Sequence, residues 1–108
     1  MNWTAREFKG ALTEQYACQE LIASCGLVPY YWSAENSRGE VDFLVQSAGA
    51  VYAIEVKAEE NLRAKSLRSF KEKYPEIQAR RFSLSDYREQ DWLTNVPLYL
   101  MGNTGLWL

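Results

Sequence analysis

A chain of 108 residues suffices for one domain with one core, and is too short for a catalytic module beside a separate recognition domain. An apolar content of 47%, a charged content of 24% and a net charge of −2 describe an ordinary folded chain, so any claim of nucleic-acid binding must rest on local charge. The sequence contains no His, which excludes Ser-His-Asp and Cys-His catalysis and His-ligated metal sites and leaves carboxylate chemistry.

No apolar run approaches the roughly 18 residues of a membrane span, and the N-terminus has no signal-peptide core. A single cytoplasmic domain over residues 1–108 is expected. The spacing predicts a helix from Phe8 to about Cys25, with Gly26 as the stop and Pro29 beyond it. Phe8, Ala11, Leu12, Tyr16, Cys18, Leu21, Ile22, Ala23 and Cys25 fill its apolar arc. Glu14 falls on the row of Cys18, Leu21 and Cys25, whereas Glu20 faces the wet side. An inward Glu14 implies a cation, metal or donor nearby; the alternative is an acid at the arc's margin that reaches water. Cys18 and Cys25, seven apart on one helix, lie about 10 Å apart along the axis, too far for a disulfide. They are expected as buried thiols in a reducing compartment.

Leu27–Ala34 is rich in β-prone residues and predicts a first strand, followed by the polar turn Glu35–Gly39. Arg38 in that turn is a candidate phosphate contact or a plain solvated arginine. From Glu40 to Lys57 two alternating segments flank Ser47–Ala50, the pattern of a β-hairpin. A four-residue loop over Ser47–Ala50 places Gln46 opposite Val51, Asp42 opposite Glu55 and Glu40 opposite Lys57. Val41, Phe43, Val45, Tyr52, Ile54 and Val56 then form the core face.

The opposite face gathers Glu40, Asp42, Glu55 and Lys57 at the end far from the turn. Like charges across a ladder are destabilising, so a cation is expected between them. Mg²⁺ takes oxygen ligands and is usually held by one or two carboxylates, a role open to Asp42 and Glu55, with the Lys57 ammonium beside the metal. The plainer alternative pairs Lys57 with Glu40 and leaves Asp42 exposed at a strand start.

Asn61 is a candidate N-cap for a second helix over Leu62–Tyr74, which ends before Pro75 and buries Leu67, Phe70 and Tyr74. The helix and its exit carry Arg63, Lys65, Arg68, Lys71, Lys73, Arg80 and Arg81 against Glu72 and Glu76. Such a face is either solvated or a phosphate-backbone contact, for which Arg63, Lys65 and Arg68 are the candidates. Ile77–Leu84 predicts a fourth strand, parallel to the third through a right-handed crossover. Asp86–Asp91 is a polar connection. The apolar tail from Trp92 to Leu108 either closes the core or packs on a second copy or another part of a longer protein.

This order of elements, with Glu14 in the first helix, Val41-Asp42 early in the second strand and Glu55-Val56-Lys57 in the third, resembles the PD-(D/E)xK nuclease superfamily. Gly10-Ala11-Leu12-Thr13-Glu14 followed by Glu20-Leu21 is similar to the first helix of its archaeal Holliday-junction resolvases. Pro is absent before Asp42. Glu40-Val41-Asp42-Phe43, Ile54-Glu55-Val56-Lys57, Ala64-Lys65-Ser66-Leu67 and Pro97-Leu98-Tyr99 also resemble an uncharacterised domain that follows the ATPase module in many prokaryotic AAA-type ATPases. The resemblance implies an α/β fold with a restriction-endonuclease-like αβββαβ core, a mixed sheet of at least four strands flanked by helices. It also implies that the chain is part of, or a cousin to, a longer ATPase. Having no G-x-x-x-x-G-K-[ST] phosphate loop, the present chain does not hydrolyse ATP alone.

The superfamily resemblance implies that Asp42 and Glu55, with the Val56 carbonyl, bind Mg²⁺ or Mn²⁺. Glu14 would act through water or on a second ion, and Lys57 would orient the attacking water. The reaction implied is metal-assisted hydrolysis of a DNA phosphodiester. Two other readings stand beside it: an inactive nuclease-fold module that docks on or regulates an ATPase, with a homo-oligomer built through the apolar tail, and DNA binding without cleavage.

Overall fold

The computed structural model of the protein describes residues 4–31, 41–58 and 65–108. Its elements are helix α1 (Ala5–Ala23), strands β1 (Tyr30–Tyr31), β2 (Phe43–Ser47) and β3 (Ala50–Val56), helix α2 (Lys65–Lys73), and strands β4 (Gln78–Ser83), β5 (Arg88–Glu89) and β6 (Leu93–Pro97). Two 3-10 turns, Leu98–Leu100 and Thr104–Leu106, follow. The expected αβββαβ order is present, and the fold is α/β with a mixed sheet between two helices.

The six strands lie in the order β1-β2-β3-β4-β6-β5. The first three form an antiparallel meander, β4 pairs parallel to β3, and β6 pairs parallel to β4. Strand β5 closes the edge antiparallel to β6. Neither β5 nor β6 was expected from the sequence: their residues read as a polar connection and an undifferentiated apolar tail.

The hairpin has the predicted pairing of Gln46 with Val51, but Ser47 also pairs with Ala50, so the loop is only Ala48-Gly49. Both residues take positive φ, 49° and 82°, the combination whose twist matches the flanking strands. Only Gly49 adopts that conformation without steric cost.

Each face of the sheet carries its own core. Phe43, Val45, Tyr52, Ile54, Phe82 and Val96 pack beneath Ala17 and Leu21 of α1, together with Met101 and Trp107 from the tail. Ala53, Ala79 and Leu93 pack on the other side against Leu67 and Phe70 of α2. The second hairpin face is therefore covered near the turn and polar only toward its far end.

Several sequence expectations change with this arrangement. Among the described side chains of α1 the buried residues are Ala17 and Leu21, while Leu12, Tyr16 and Ile22 are exposed at 52%, 42% and 56%; the side chain of Phe8 lies outside the described residues. Tyr74 is 45% exposed and rests beside Phe70, with ring centroids 4.8 Å apart. Cys18 and Cys25 form no disulfide and are only partly buried, not fully buried as expected. Gly26, with φ 67°, ends α1 by letting the Leu27 amide return to the Leu21 carbonyl at 2.8 Å.

The tail closes its own core. Trp107 is 2% exposed, donates its indole N–H to the Met101 carbonyl at 2.8 Å and meets Phe82 edge-on at 5.0 Å. Among the tail's large apolar side chains, Tyr99 at 77% and Leu108 at 39% remain outward. No helix among the described residues is long and apolar enough to cross a membrane.

Candidate functional site

The hairpin ladder runs regularly to the pair Phe43 and Ile54, and there it breaks. The Asp42 amide donates to the Ile54 carbonyl at 3.0 Å, so two successive residues of the β2 side address one residue of β3, as in a bulge. The alternation fails at that point: Val41, expected on the α1 face with Phe43, packs instead with Ala53 and Leu67 on the α2 face.

The predicted head-on opposition of Asp42 and Glu55 is thereby altered. Asp42 turns its carboxylate along the neighbouring strand, where Oδ2 accepts the Val56 N–H at 2.7 Å. Asp42 is half-buried, not exposed at a strand start. Glu55, the next residue of β3 beyond Ile54, is buried at 7% exposure. Its Oε1 lies 3.3 Å from Lys57 Nζ, and its Oε2 is buried with no hydrogen-bond partner among the described residues. Lys57 thus pairs with Glu55; Glu40, the expected partner, lies outside the described residues. The Lys57 amide donates to Phe82 O at 2.9 Å, which anchors the strand end that carries the ammonium.

Glu14 comes from α1 on the row of Cys18 and Leu21, as expected, and is partly buried. It stands within electrostatic reach of Asp42. Glu14, Asp42 and Glu55 do not form a group of three metal-ligating side chains, and no other such group forms among the described residues. Arg38 and Arg63 lie outside the described residues, as does the environment of the Lys65 side chain.

All three acids are held above their ordinary pKa. Burial raises Glu55 most; Lys57 and, more weakly, Arg81 oppose this, while Asp42 adds to it. Burial also raises Asp42, against the Val56 amide and Lys57. Burial and then the Asp42 charge raise Glu14. Among the described residues, three acids that resist ionisation together, with one buried carboxylate oxygen left without a donor, form an anionic site short of positive charge.

Arg81 on β4 is Cα-paired with Glu55 and is 4% exposed. Because β3 separates β2 from β4, Arg81 approaches Glu55 from the side away from Asp42. It leaves Oε2 of Glu55 unbonded. Its Nε donates to Asn95 Oδ1 at 2.9 Å, and Ser83 Oγ donates to the same oxygen at 2.7 Å. The sequence counted Arg81 with a basic helix exit; the alternation Ala79, Arg81, Ser83 in β4 was the signal that placed it on the sheet face beside Glu55.

The remaining basic residues divide. Lys71 donates to the carbonyls of Pro75 and Ile77 and so holds the connection from α2 to β4. Arg80 donates to the Trp107 carbonyl at 2.8 Å and lies over the Tyr52 ring. Both are structural. Arg68 is exposed and only loosely paired with Glu72, at 3.6 Å, so it stays available for an outside partner.

A family model described as "Domain of unknown function (DUF4143)" matches residues 9–101. The chain belongs to that family. The match covers nearly the same stretch as the resemblance to an uncharacterised domain, and it takes in α1 from Lys9 onward, the hairpin with Asp42 and Glu55, α2 and β4 to β6. No curated protein and no solved structure matches the chain.

Proposed function

We propose that this domain is a metal-dependent, nuclease-like module that hydrolyses DNA phosphodiesters and works with an AAA-type ATPase. The observation that carries the reading is Glu55 Oε2, a buried carboxylate oxygen with no donor among the described residues, next to a second carboxylate and an ammonium. An apolar residue there would cost less, and a stray acid would reach water; a hard cation accounts for both the burial and the missing donor.

Asp42, Glu55 and the Val56 carbonyl would hold Mg²⁺ or Mn²⁺, with Glu14 acting through water. Bound there, the ion would polarise a phosphoryl oxygen and lower the pKa of a bound water. The chain's own contribution is positional. The Val56 N–H fixes one Asp42 oxygen, and the Phe82 carbonyl pins the backbone of Lys57. Lys57, whose side chain is 33% exposed, is placed to orient a water or offset charge on the reacting phosphate.

Titration calorimetry with Mn²⁺ tests this: micromolar to millimolar binding is expected, lost in Asp42→Ala and in Glu55→Ala. DNA cleavage is expected to fall at least 100-fold in Lys57→Ala. Wild-type protein that takes up no Mn²⁺ and cleaves neither linear, branched nor single-stranded DNA overturns the hydrolase.

A docking role has its own supporting observation. Leu12, Tyr16 and Ile22 are exposed on α1, as is Tyr99 on the tail. In that reading the acids survive as a structural cluster, and binding to an ATPase module or to a second copy survives Asp42→Ala and Glu55→Ala.

A further inference from the structure

On the face that α2 covers, the sheet changes character in one step. Ala53, Ala79 and Leu93 lie side by side across β3, β4 and β6 and pack as core. Two residues further along each strand, on the same face, the row is Glu55, Arg81 and Asn95. All three are buried. An apolar row there would have extended the core, whereas buried polar groups add to stability only when each finds a partner.

Asn95 is tied at both ends of its amide. Its Oδ1 accepts Arg81 Nε at 2.9 Å and Ser83 Oγ at 2.7 Å, while its Nδ2 donates to the carbonyls of Ser85 at 3.3 Å and Asp86 at 2.9 Å. The two carbonyls fix which end of the amide is oxygen, and that oxygen rests on Arg81. The charges around Arg81 act in the opposite direction. Glu55 stands one strand away, about 4.8 Å by strand spacing, and attracts the guanidinium; Arg88, paired with Asn95 from β5, repels it from the far side. Both drive Arg81 toward Glu55, and the Asn95 amide holds it toward β6. Arg81 therefore acts on Glu55 through its charge, and Oε2 of Glu55 has no donor among the described residues. A guanidinium laid on that carboxylate would bond it through a planar fork and close it to a metal ion.

We propose that Asn95 is a positioning residue of the carboxylate site: by holding Arg81 toward β6, it keeps the guanidinium from closing on Glu55 Oε2 and leaves that oxygen open to a divalent cation. What the open oxygen receives rests on the metal reading above; how it is kept open does not. Asn95 touches neither metal nor substrate, and it acts through Arg81. An asparagine suits the task because it accepts from Arg81 while donating to two carbonyls, which neither Asp nor Leu can do.

The test combines Mn²⁺ calorimetry with a double-mutant cycle on the full chain. Asn95→Leu, close in volume and without polar atoms, should bind Mn²⁺ at least tenfold more weakly than the wild type while circular dichroism shows it folded. Adding Arg81→Met should restore the affinity, a rescue that general loosening of the fold does not give. Arg81→Met alone should bind Mn²⁺ at least as tightly as the wild type. In EDTA, the coupling between Glu55→Gln and Arg81→Met, read from denaturant unfolding, should rise at least tenfold in the folding equilibrium constant once Asn95 is Leu. Near wild-type Mn²⁺ affinity in folded Asn95→Leu, or an unchanged coupling, would overturn the proposal. If Asn95→Leu does not fold, Arg81→Met alone carries the test: Mn²⁺ binding weakened tenfold there would show Arg81 supporting Glu55 instead of competing for it. A protein that takes up no Mn²⁺ yet shows the rise in coupling loses the metal and keeps the Asn95 hold; Mn²⁺ uptake through Asp42 with no rise does the reverse.

Discussion

Glu55 concentrates the electrostatic cost of the fold, because its carboxylate is buried and only one oxygen meets Lys57. A carboxyl whose folded pKa is raised keeps its proton after the unfolded chain has lost one. The unfolded state then binds fewer protons, and stability falls as pH rises from the ordinary Glu value of 4.5 through the raised folded value. Thermal melts of the metal-free protein should therefore show a lower midpoint at pH 8 than near pH 5. Glu55→Gln, which removes the charge at nearly constant volume, should reduce that slope, leaving the parts due to Asp42 and Glu14, and stabilise the metal-free protein by about 1 kcal/mol at pH 8. A midpoint at pH 8 that drops on this substitution would place the Lys57 pair above the burial cost. Mn²⁺ at about 100 times its dissociation constant should stabilise the wild type by about 2.7 kcal/mol and leave Glu55→Gln almost unmoved.

At the scale of elements, the hairpin shows how far alternation carries and where it stops. Period-2 patterning identified β2, β3 and β4 and put Gln46 opposite Val51, because half-buried strands must hold one face to the core. It missed the two-residue turn, since Ala48 has none of the Asn, Asp or Gly character that marks positive φ. It also missed the bulge at Asp42, which depends on one amide choosing the Ile54 carbonyl and has no local residue signature. Strand β6 was hidden because Leu93, Asn95, Val96 and Pro97 are all buried, so no alternation of polar and apolar residues remains. The site's members were legible as residue types, while the partner of Lys57 and the row through Arg81 needed the register of three further strands. The turn offers a direct check. An alanine in left-handed conformation costs about 1–2 kcal/mol, a penalty that Gly does not carry and Asn carries less. Ala48→Gly and Ala48→Asn should each raise the denaturant midpoint by the equivalent of roughly 0.5–1 kcal/mol with an unchanged m-value. A drop in midpoint in both would show that this turn does not hold the conformation described.

Across the whole molecule the core under α1 depends on residues that follow β6. The parallel pair of β4 and β6 brings the chain to Pro97, and two 3-10 turns then fold Met101 and Trp107 back under the α1 side of the sheet. Trp107 touches Tyr52 and Phe82, one on each of the central strands, and its carbonyl accepts Arg80 Nε from β4. The tail thus joins β3 to β4 on one face while α2 covers the other, and β3 carries Glu55 between them. Truncating a fully buried aromatic costs about 3–5 kcal/mol, a large part of a domain's 5–15 kcal/mol. Trp107→Ala should therefore lower the melting midpoint by 10 °C or more and weaken Mn²⁺ binding in proportion to the unfolded fraction, whereas Tyr99→Ala, on an exposed ring of the same segment, should change the midpoint by less than about 2 °C. Equal, small effects of the two substitutions would mean that the tail is an external cover and that the carboxylate site is supported by the sheet and α2 alone.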